Sequence, residues 1–215
     1  GPEHQTVREK RVVTAQTLGG SGGLKVGADF LRVLNPRVEV WISDPSWENH
    51  YALFEGAGFN VNTYPYYDAA TRSIRLDAML ATLRRLPPGT IVVLHACCHN
   101  PTGLDPTPQQ WQQIRATVKE TGLVPFLDIA YQGFADGLDA DAAEVRRFAD
   151  ECPLVVAASS FSKSLSLYSE RVGAVSIVTG SADEAGRALS HVKRVVRANY
   201  SGPPSYGGSL ASTVL

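Results

Sequence analysis

One lysine, Lys163, stands among small hydroxyl-bearing and apolar residues in the stretch S-S-F-S-K-S-L-S-L-Y-S-E-R-V-G, residues 159–173. It follows the short apolar run 154–158, which predicts a buried strand. The lysine is therefore expected just past a strand end, where α/β proteins bind ligands. A desolvated lysine loses its proton more easily and can act as an amine nucleophile. A lysine that simply extends from a loop into solvent is the commoner case, so the rest of the chain must decide.

A second polar cluster, H-A-C-C-H-N-P-T-G, follows the apolar run 90–94. Histidine and cysteine are metal ligands, but His95, Cys97 and His99 crowd into one short stretch without a separated ligand pair. Zinc sites usually use separated pairs, so no metal is predicted. Cys97 and Cys98 are expected to be buried small residues instead.

A third cluster ends the predicted strand 123–128, where Asp128 follows V-P-F-L. A carboxylate in so apolar a setting needs a partner, because an unpaired buried charge is costly. A positively charged group of a ligand is one such partner.

The glycine-rich run 19–23, G-G-S-G-G, precedes a predicted helix and suits an anion, since helix N-termini present free N–H groups and a partial positive charge. The nucleotide-binding glycine patterns do not match. G-x-S-x-G does match the nucleophile elbow of α/β-hydrolases, with Ser21 as nucleophile, and Asp128 and His191 follow in the required order. His191 falls in a predicted helix, however, and this alternative leaves Lys163 unexplained.

The bulk composition excludes several functions. The formal net charge of -1 gives no electrostatic case for nucleic acid or a membrane surface as partner. The three cysteines, an odd number, favour a reducing compartment over a disulfide framework. No apolar run approaches bilayer length and no signal-peptide pattern is evident, so a cytoplasmic protein is expected.

Predicted strands and helices alternate along almost the whole chain, which indicates an α/β fold with a mainly parallel sheet flanked by helices. Residues 1–10 show no pattern, and 64–68 read as a turn-rich connector. Strands are predicted at 12–18, 38–43, 59–64, 90–94, 123–128, 154–158 and 172–178. Helices are predicted after the glycines at 24–34 and at 46–57, 76–86, 108–121, 141–150 and 181–199.

Several of these segments resemble one family. S-x-S-K-x-x-x-L-Y-x-E-R-V-G is similar to the cofactor-lysine segment of the aspartate and aromatic aminotransferases, pyridoxal-phosphate enzymes of fold type I. H-x-C-C-H-N-P-T-G, D-x-A-Y-Q-G-F, D-P-S-W-E-N-H and R-A-N-Y-S-G-P-P resemble further segments of that family. The resemblance covers essentially all 215 residues and implies the large cofactor-binding domain.

The resemblance implies catalytic roles as well. Lys163 would form the internal aldimine with pyridoxal 5'-phosphate and later move the substrate proton. Asp128 would pair with the pyridine nitrogen, with His50 orienting it. Tyr131 and Asn100 would hydrogen-bond the phenolic oxygen, and a cis Asn100–Pro101 bond is expected.

The resemblance also implies how the cofactor and substrate are held. Trp47 would lie flat against the cofactor ring and, with Asn100, contact the substrate. The phosphate would be bound by Gly20, Ser21, Ser160, Ser162 and Arg171.

Substrate preference follows from three further positions. Arg197 would reach the neighbouring subunit's site in a homodimer and bind the side-chain carboxylate of a dicarboxylic substrate. Ser21 and Gly202 stand where aspartate-specific relatives usually have threonine and asparagine. These smaller residues would loosen the frame near Arg197, so transamination of aromatic as well as dicarboxylic amino acids is predicted. An aspartate-specific enzyme is the alternative.

The family's N-terminal arm and C-terminal small domain have no counterpart in these 215 residues. The domain assignment is therefore a single central cofactor-binding domain, 1–215. We expect this chain alone to bind the cofactor weakly at best and to show negligible transamination. A cofactor-binding fragment without turnover is thus a further alternative.

Overall fold

The computed structural model describes residues 3–215 and contains a large and a small sheet. The strands are β1 (Val12–Leu18), β2 (Val40–Asp44), β3 (Val61–Pro65), β4 (Tyr67–Asp68), β5 (Ser73–Ile74), β6 (Ile91–His95), β7 (Val124–Ile129), β8 (Val155–Ser160) and β9 (Val172–Val178). The helices are α1 (Gln5–Arg8), α2 (Gly19–Leu34), α3 (Asn49–Gly56), α4 (Leu76–Leu83), α5 (Pro108–Thr121), α6 (Leu138–Asp141), α7 (Ala143–Glu151), α8 (Ala182–Asn199) and α9 (Ser205–Val214).

The large sheet has seven strands in the order β1-β9-β8-β7-β6-β2-β3. Neighbours from β8 to β3 pair in parallel, whereas β9 is antiparallel to both β8 and β1. The reversal is confined to β9, so the other six strands end at the edge where β9 begins. The predicted α/β fold with a mainly parallel sheet is confirmed.

Both faces of the sheet are covered, because successive strand residues point to opposite sides. On one face Val92 and Leu94 belong to a core with residues of α4, α5 and α7. On the other, Ile91 and Val93 belong to a core with residues of α2, α3 and α8. This double cover explains why the central strands are near-continuous apolar runs.

Helix α5 shows how local sequence sets an element's ends. Thr107 and Gln110 form a reciprocal capping box, Pro108 occupies the first turn, and Gly122 ends the helix in the left-handed conformation, with φ 68°. These are strong start and stop signals, and the predicted helix bounds, 108–121, are confirmed.

The glycine run 19–23 differs from its prediction as a turn preceding the helix. It forms the first turn of α2 itself, which extends from Gly19. Close packing of α2 on the sheet explains Gly23 of this run, where a Cβ would lie 3.2 Å from Ala158 Cβ, and also Gly27 one turn further on, where a Cβ would lie 2.6 Å from the Phe126 ring. Lack of side chains therefore serves contact with the sheet as well as with the pocket.

Four elements were missed in the sequence prediction, and two further helices were predicted as one. Helices α1 and α9 lie in stretches without a clear apolar period. Strands β4 and β5, of two residues each, form a hairpin that begins inside the predicted connector 64–68. The predicted helix 141–150 is two helices, α6 and α7, separated at Ala142. Among residues 3–215, no helix combines the length and apolar character needed to cross a bilayer.

Candidate active site

A pocket opens at the sheet edge where six strands end and β9 begins. It encloses about 650 Å³ of space, its open mouth included. Its lining comes from segments far apart in the chain: Gly20, Ser21, Leu24, Trp47, His95, Asn100, Asp128, Ala130, Tyr131, Ser160, Ser162, Lys163, Tyr168 and Arg171.

One end of the pocket is built around the N-terminus of α2. The Gly19 N–H donates to the Arg171 carbonyl at 2.9 Å, which ties the start of α2 to the start of β9. A Cβ on Gly20 would lie 2.9 Å from Ser160 Cβ, and one on Gly19 would lie 2.6 Å from Arg171 Nη2. Glycine here lets the helix terminus, a serine and a guanidinium converge. The arrangement suits an anion, because free helical N–H groups carry partial positive charge.

Arg171 supplies the full positive charge at this end. Its Nη1 donates to Ser162 Oγ at 3.4 Å and to the Tyr168 carbonyl at 3.1 Å, and its Nη2 donates to the Leu18 carbonyl at 3.4 Å. These partners are neutral, and within residues 3–215 no carboxylate forms a salt bridge with Arg171. The guanidinium charge is therefore left for a ligand, for which its fork of donors suits a phosphate.

Asp128 forms the buried acidic part of the pocket, at the end of β7. His50 Nε2 lies 2.8 Å from Asp128 Oδ2, and His50 Nδ1 lies 2.9 Å from Ser46 Oγ. Burial raises the pKa of Asp128, but the hydrogen bond from His50 and the charges of His50, His95 and Lys163 outweigh it and hold the pKa below its ordinary value. Asp128 is thus kept ionised, as a partner for a positive group.

His95 is a pocket residue that the sequence analysis treated only as a metal candidate. It pairs in register with Asp128 across β6 and β7, and its ring lies 4.9 Å from that of His50 and 4.3 Å from that of His99. Both of its ring nitrogens are buried without a hydrogen-bond partner in the described chain. Burial, together with the charge of His50, lowers the pKa of His95 to about 4. An unsatisfied neutral imidazole beside the pocket indicates that a polar ligand or water belongs there.

The histidines and cysteines at the end of β6 were considered as metal ligands. His50, His95 and Asp128 lie close enough for their ligand atoms to hold a metal ion, all within 4.8 Å. The hydrogen bond between His50 and Asp128 accounts for two of the three without an ion. As expected, Cys97 is buried, whereas Cys98 is only half-buried, and burial raises the pKa of both thiols.

Lys163 lies on the loop between β8 and β9 and is half-buried. Its Nζ is 5.3 Å from the centre of the Tyr131 ring and 5.0 Å from that of Tyr168. Within residues 3–215 no carboxylate forms a salt bridge with it. The amine is therefore held over aromatic faces and stays available to a ligand.

Asn100 and Trp47 line the remaining walls. Asn100 begins a cis peptide bond to Pro101, as expected. The Asp105 carboxylate accepts the Cys98 N–H at 2.6 Å and the His99 N–H at 2.8 Å, which fixes this loop. Trp47 packs edge-to-face on His50, with ring centres 5.4 Å apart.

Arg197 lies away from this pocket, exposed on α8, where it donates to Ser201 Oγ. His191 belongs to the same helix, and Asp128 pairs with His50 instead, so the hydrolase alternative gains no support. Leu24, Ala130 and Tyr168 are lining residues that were not predicted. Ala130 and Tyr168 had a visible signal, since they belong to the D-x-A-Y-Q-G-F and L-Y-x-E-R segments, whereas Leu24 had none.

The buried histidines predict a pH dependence of folding. Burial lowers the pKa of His99 to about 3, as it lowers that of His95 to about 4. Below pH about 6.5 the unfolded chain binds protons at both residues while the folded chain does not. The free energy of unfolding should fall by about 1.4 kcal/mol per pH unit for each histidine as the pH drops toward 4.

The measurement is urea unfolding at several pH values between 7 and about 4.5. His95→Asn should make the fall clearly shallower, whereas His191→Asn on α8 should leave its slope unchanged. Asp128 adds a loss in the same direction only at lower pH, as the pH falls through its depressed pKa. Equal slopes for the wild type and His95→Asn would contradict the assignment.

Known proteins are similar to this chain in both sequence and fold. A family model described as aminotransferase class I and II matches residues 1–215. The aspartate aminotransferase of Pseudomonas aeruginosa is 57% identical over 215 residues, and the tyrosine aminotransferase of Klebsiella pneumoniae 52%. In both cases the match covers 100% of this chain and 54% of the relative.

A solved structure is similar over the same extent. The aromatic-amino-acid aminotransferase from Burkholderia pseudomallei, covalently bound to pyridoxal phosphate, has a TM-score of 0.98 and is 61% identical. The match covers 100% of this chain and 54% of that one. The sheet order, the pocket at its edge and this likeness define the architecture of a fold type I enzyme. The chain belongs to the aminotransferase class I and II family. It spans about half the length of the curated relatives it matches.

Proposed function

We propose that the chain is the cofactor-binding part of a pyridoxal-phosphate aminotransferase that acts on aromatic and dicarboxylic amino acids. The observation that carries this is the placement of three unlike groups in one pocket. A free amine, an ionised buried carboxylate and an anion cradle line the same cavity, as Lys163, Asp128 and the α2 terminus with Arg171.

These groups fit pyridoxal phosphate, which has an aldehyde, a basic ring nitrogen, a phenolic oxygen and a phosphate. Lys163 would hold the aldehyde, Asp128 would pair with the ring nitrogen, and Asn100 and Tyr131 would donate to the phenolic oxygen. Gly20, Ser21, Ser160, Ser162 and Arg171 make the phosphate cradle. The unsatisfied ring nitrogens of His95 leave hydrogen-bonding capacity beside the same pocket.

When bound, the cofactor supplies an electron sink for the carbanion formed at the substrate's Cα. Asp128 would hold a proton on the ring nitrogen, because its ionised carboxylate favours a cationic partner. His50 keeps that carboxylate oriented through the 2.8 Å contact. Lys163 is the one amine among the lining residues, so its Nζ would hold the cofactor through the aldehyde and, when free, would take up and release the substrate proton.

A homodimer completes the proposal. Arg197 is exposed on α8 and lines no part of its own chain's pocket, so the site it can serve is in a second copy. There its guanidinium would pair with a substrate carboxylate. A cytoplasmic location fits the three cysteines, all free in the structure.

Substrate preference is tested in the whole protein. Ser21 lines the pocket, and a Cβ on Gly202 would meet no atom within 4 Å, so neither position fills the space that threonine or asparagine would. We expect kcat/KM for phenylalanine or tyrosine within about a hundredfold of that for aspartate. Gly202→Asn should shift the ratio toward aspartate by up to about tenfold, since one hydrogen bond contributes about 1 kcal/mol. Ser21→Thr should have a similar effect, since it keeps the hydroxyl and adds a methyl group, which contributes about 0.8 kcal/mol when buried.

Gly186→Asn on the outer part of α8 serves as the control for an added amide, because that glycine too has open space around it. A preference for aspartate by several orders of magnitude in the wild type would make the protein an aspartate-specific aminotransferase. That alternative uses the same pocket and the same Arg197.

A further inference from the structure

Tyr168 lines the pocket although it lies on the connection between β8 and β9 and is 63% exposed. That connection is tightly folded. Ser166 and Arg171 have positive φ, at 55° and 51°, and the Ser166 N–H donates to the Lys163 carbonyl at 3.1 Å. Exposure on this scale means that burial of the ring is not its main contribution.

The Tyr168 ring contacts two cations. Lys163 Nζ lies 5.0 Å from its centre and Arg171 Cζ lies 5.5 Å from it, both within the range of a cation–π interaction. The Tyr168 carbonyl also accepts from Arg171 Nη1 at 3.1 Å. One residue therefore touches the amine and the guanidinium that lie at different parts of the pocket.

The ring accounts for these contacts without the hydroxyl. Within residues 3–215 no hydrogen bond to the Tyr168 hydroxyl is present. Lys163 has Tyr131 as a second aromatic neighbour at 5.3 Å. Its side chain is thus held between two rings, one of which also contacts Arg171.

We propose that Tyr168 is a positioning residue: its aromatic ring contacts both Lys163 and Arg171 and so fixes the position of the amine relative to the guanidinium. That Tyr168 assists cofactor capture rests on the proposed function, in which Lys163 would bind the aldehyde and Arg171 the phosphate. Two like charges repel, and a shared negative ring face offsets part of that repulsion. Loss of the ring leaves both side chains freer to move apart.

The first experiment needs no cofactor. Acetic anhydride labels lysine amines, and the rate at Lys163 is read by peptide mass spectrometry against exposed Lys119 on α5 as internal reference. Tyr168→Leu is expected to raise the relative rate at Lys163 by roughly threefold or more, because the amine loses one of its two covering rings. In Tyr168→Phe and Tyr206→Leu the relative acetylation rate at Lys163 should stay within about twofold of the wild-type rate. Tyr206→Leu is the matched control, because Tyr206 on α9 is 66% exposed, much like Tyr168.

The second experiment measures cofactor capture. Pyridoxal phosphate is added over a range of concentrations, borohydride is added, and the modified fraction of Lys163 is measured. Tyr168→Leu should raise the half-saturating concentration by roughly three- to tenfold, whereas Tyr168→Phe should not. Repeating the measurement with pyridoxal, which lacks the phosphate, tests the Tyr168 contact with Lys163 alone. Measuring how well inorganic phosphate protects Lys163 from pyridoxal phosphate tests the Tyr168 contact with Arg171.

The outcomes separate the two proposals. Capture at Lys163 by the wild type, with Tyr168→Leu equal to Tyr206→Leu in both experiments, would overturn the inference alone. No capture at Lys163 by any variant would overturn the proposed function, while the acetylation rates would still decide whether Tyr168 holds the amine. A defect in Tyr168→Phe equal to that in Tyr168→Leu would assign the effect to the hydroxyl and also overturn the inference.

Discussion

Lys163→Ala in the whole protein should lower the rate of transamination by on the order of 10⁴- to 10⁶-fold. Under the proposed function, alanine removes the amine that would bind the aldehyde and also the base that would move the substrate proton. No other lysine lines the described pocket, so no neighbouring amine can replace it. The phosphate cradle stays intact, and the variant should still bind the cofactor reversibly.

The measurement is single-turnover kinetics with aspartate and with tyrosine, together with equilibrium dialysis of the cofactor. Lys119→Ala on the exposed side of α5 is the matched control and should keep wild-type rates. Turnover by Lys163→Ala within tenfold of wild type would remove Lys163 from the catalytic role.

Asp128→Asn should slow turnover by roughly 10²- to 10³-fold while leaving the fold intact. A neutral amide cannot hold a proton on the ring nitrogen, and loss of one partner of a buried ionic pair costs about 3–5 kcal/mol. The His50 contact survives, because the amide oxygen can still accept from His50. Cofactor capture should therefore persist although catalysis is lost.

Asp139→Asn is the control, since that carboxylate is fully exposed on α6 and away from the pocket. Both variants are compared by kcat and by the amount of cofactor retained after gel filtration. A value of kcat near wild type for Asp128→Asn would show that the carboxylate does not control the ring nitrogen.

Much of the pocket could be predicted because parallel strands end at a common edge. Asp128 and the segments after β6 and β8 were placed at strand ends from apolar runs alone, and the structure brings them into one cavity. The reversed strand β9 places Arg171 at the same edge because it begins there. Strand direction is not visible in sequence, so this convergence could be anticipated only through the family resemblance.

Other features depend on contacts that no local pattern encodes. His95 resembled a metal ligand in sequence, but its neighbours are two other histidines brought together by register and packing. Tyr168 lies on the exposed connection between β8 and β9, and its ring contacts Lys163 only because of the way that loop folds. The glycines of α2 read as a turn because their packing against β7 and β8 is a tertiary contact.

A cofactor site at Lys163 predicts which residue pyridoxal phosphate becomes attached to. Incubating the 215-residue chain with excess pyridoxal phosphate, reducing with borohydride and mapping the peptides tests this in one measurement. Modification should fall on the peptide that contains Lys163 and be abolished in Lys163→Ala. Modification spread over exposed lysines, with Lys163 unmodified, would contradict the proposed site.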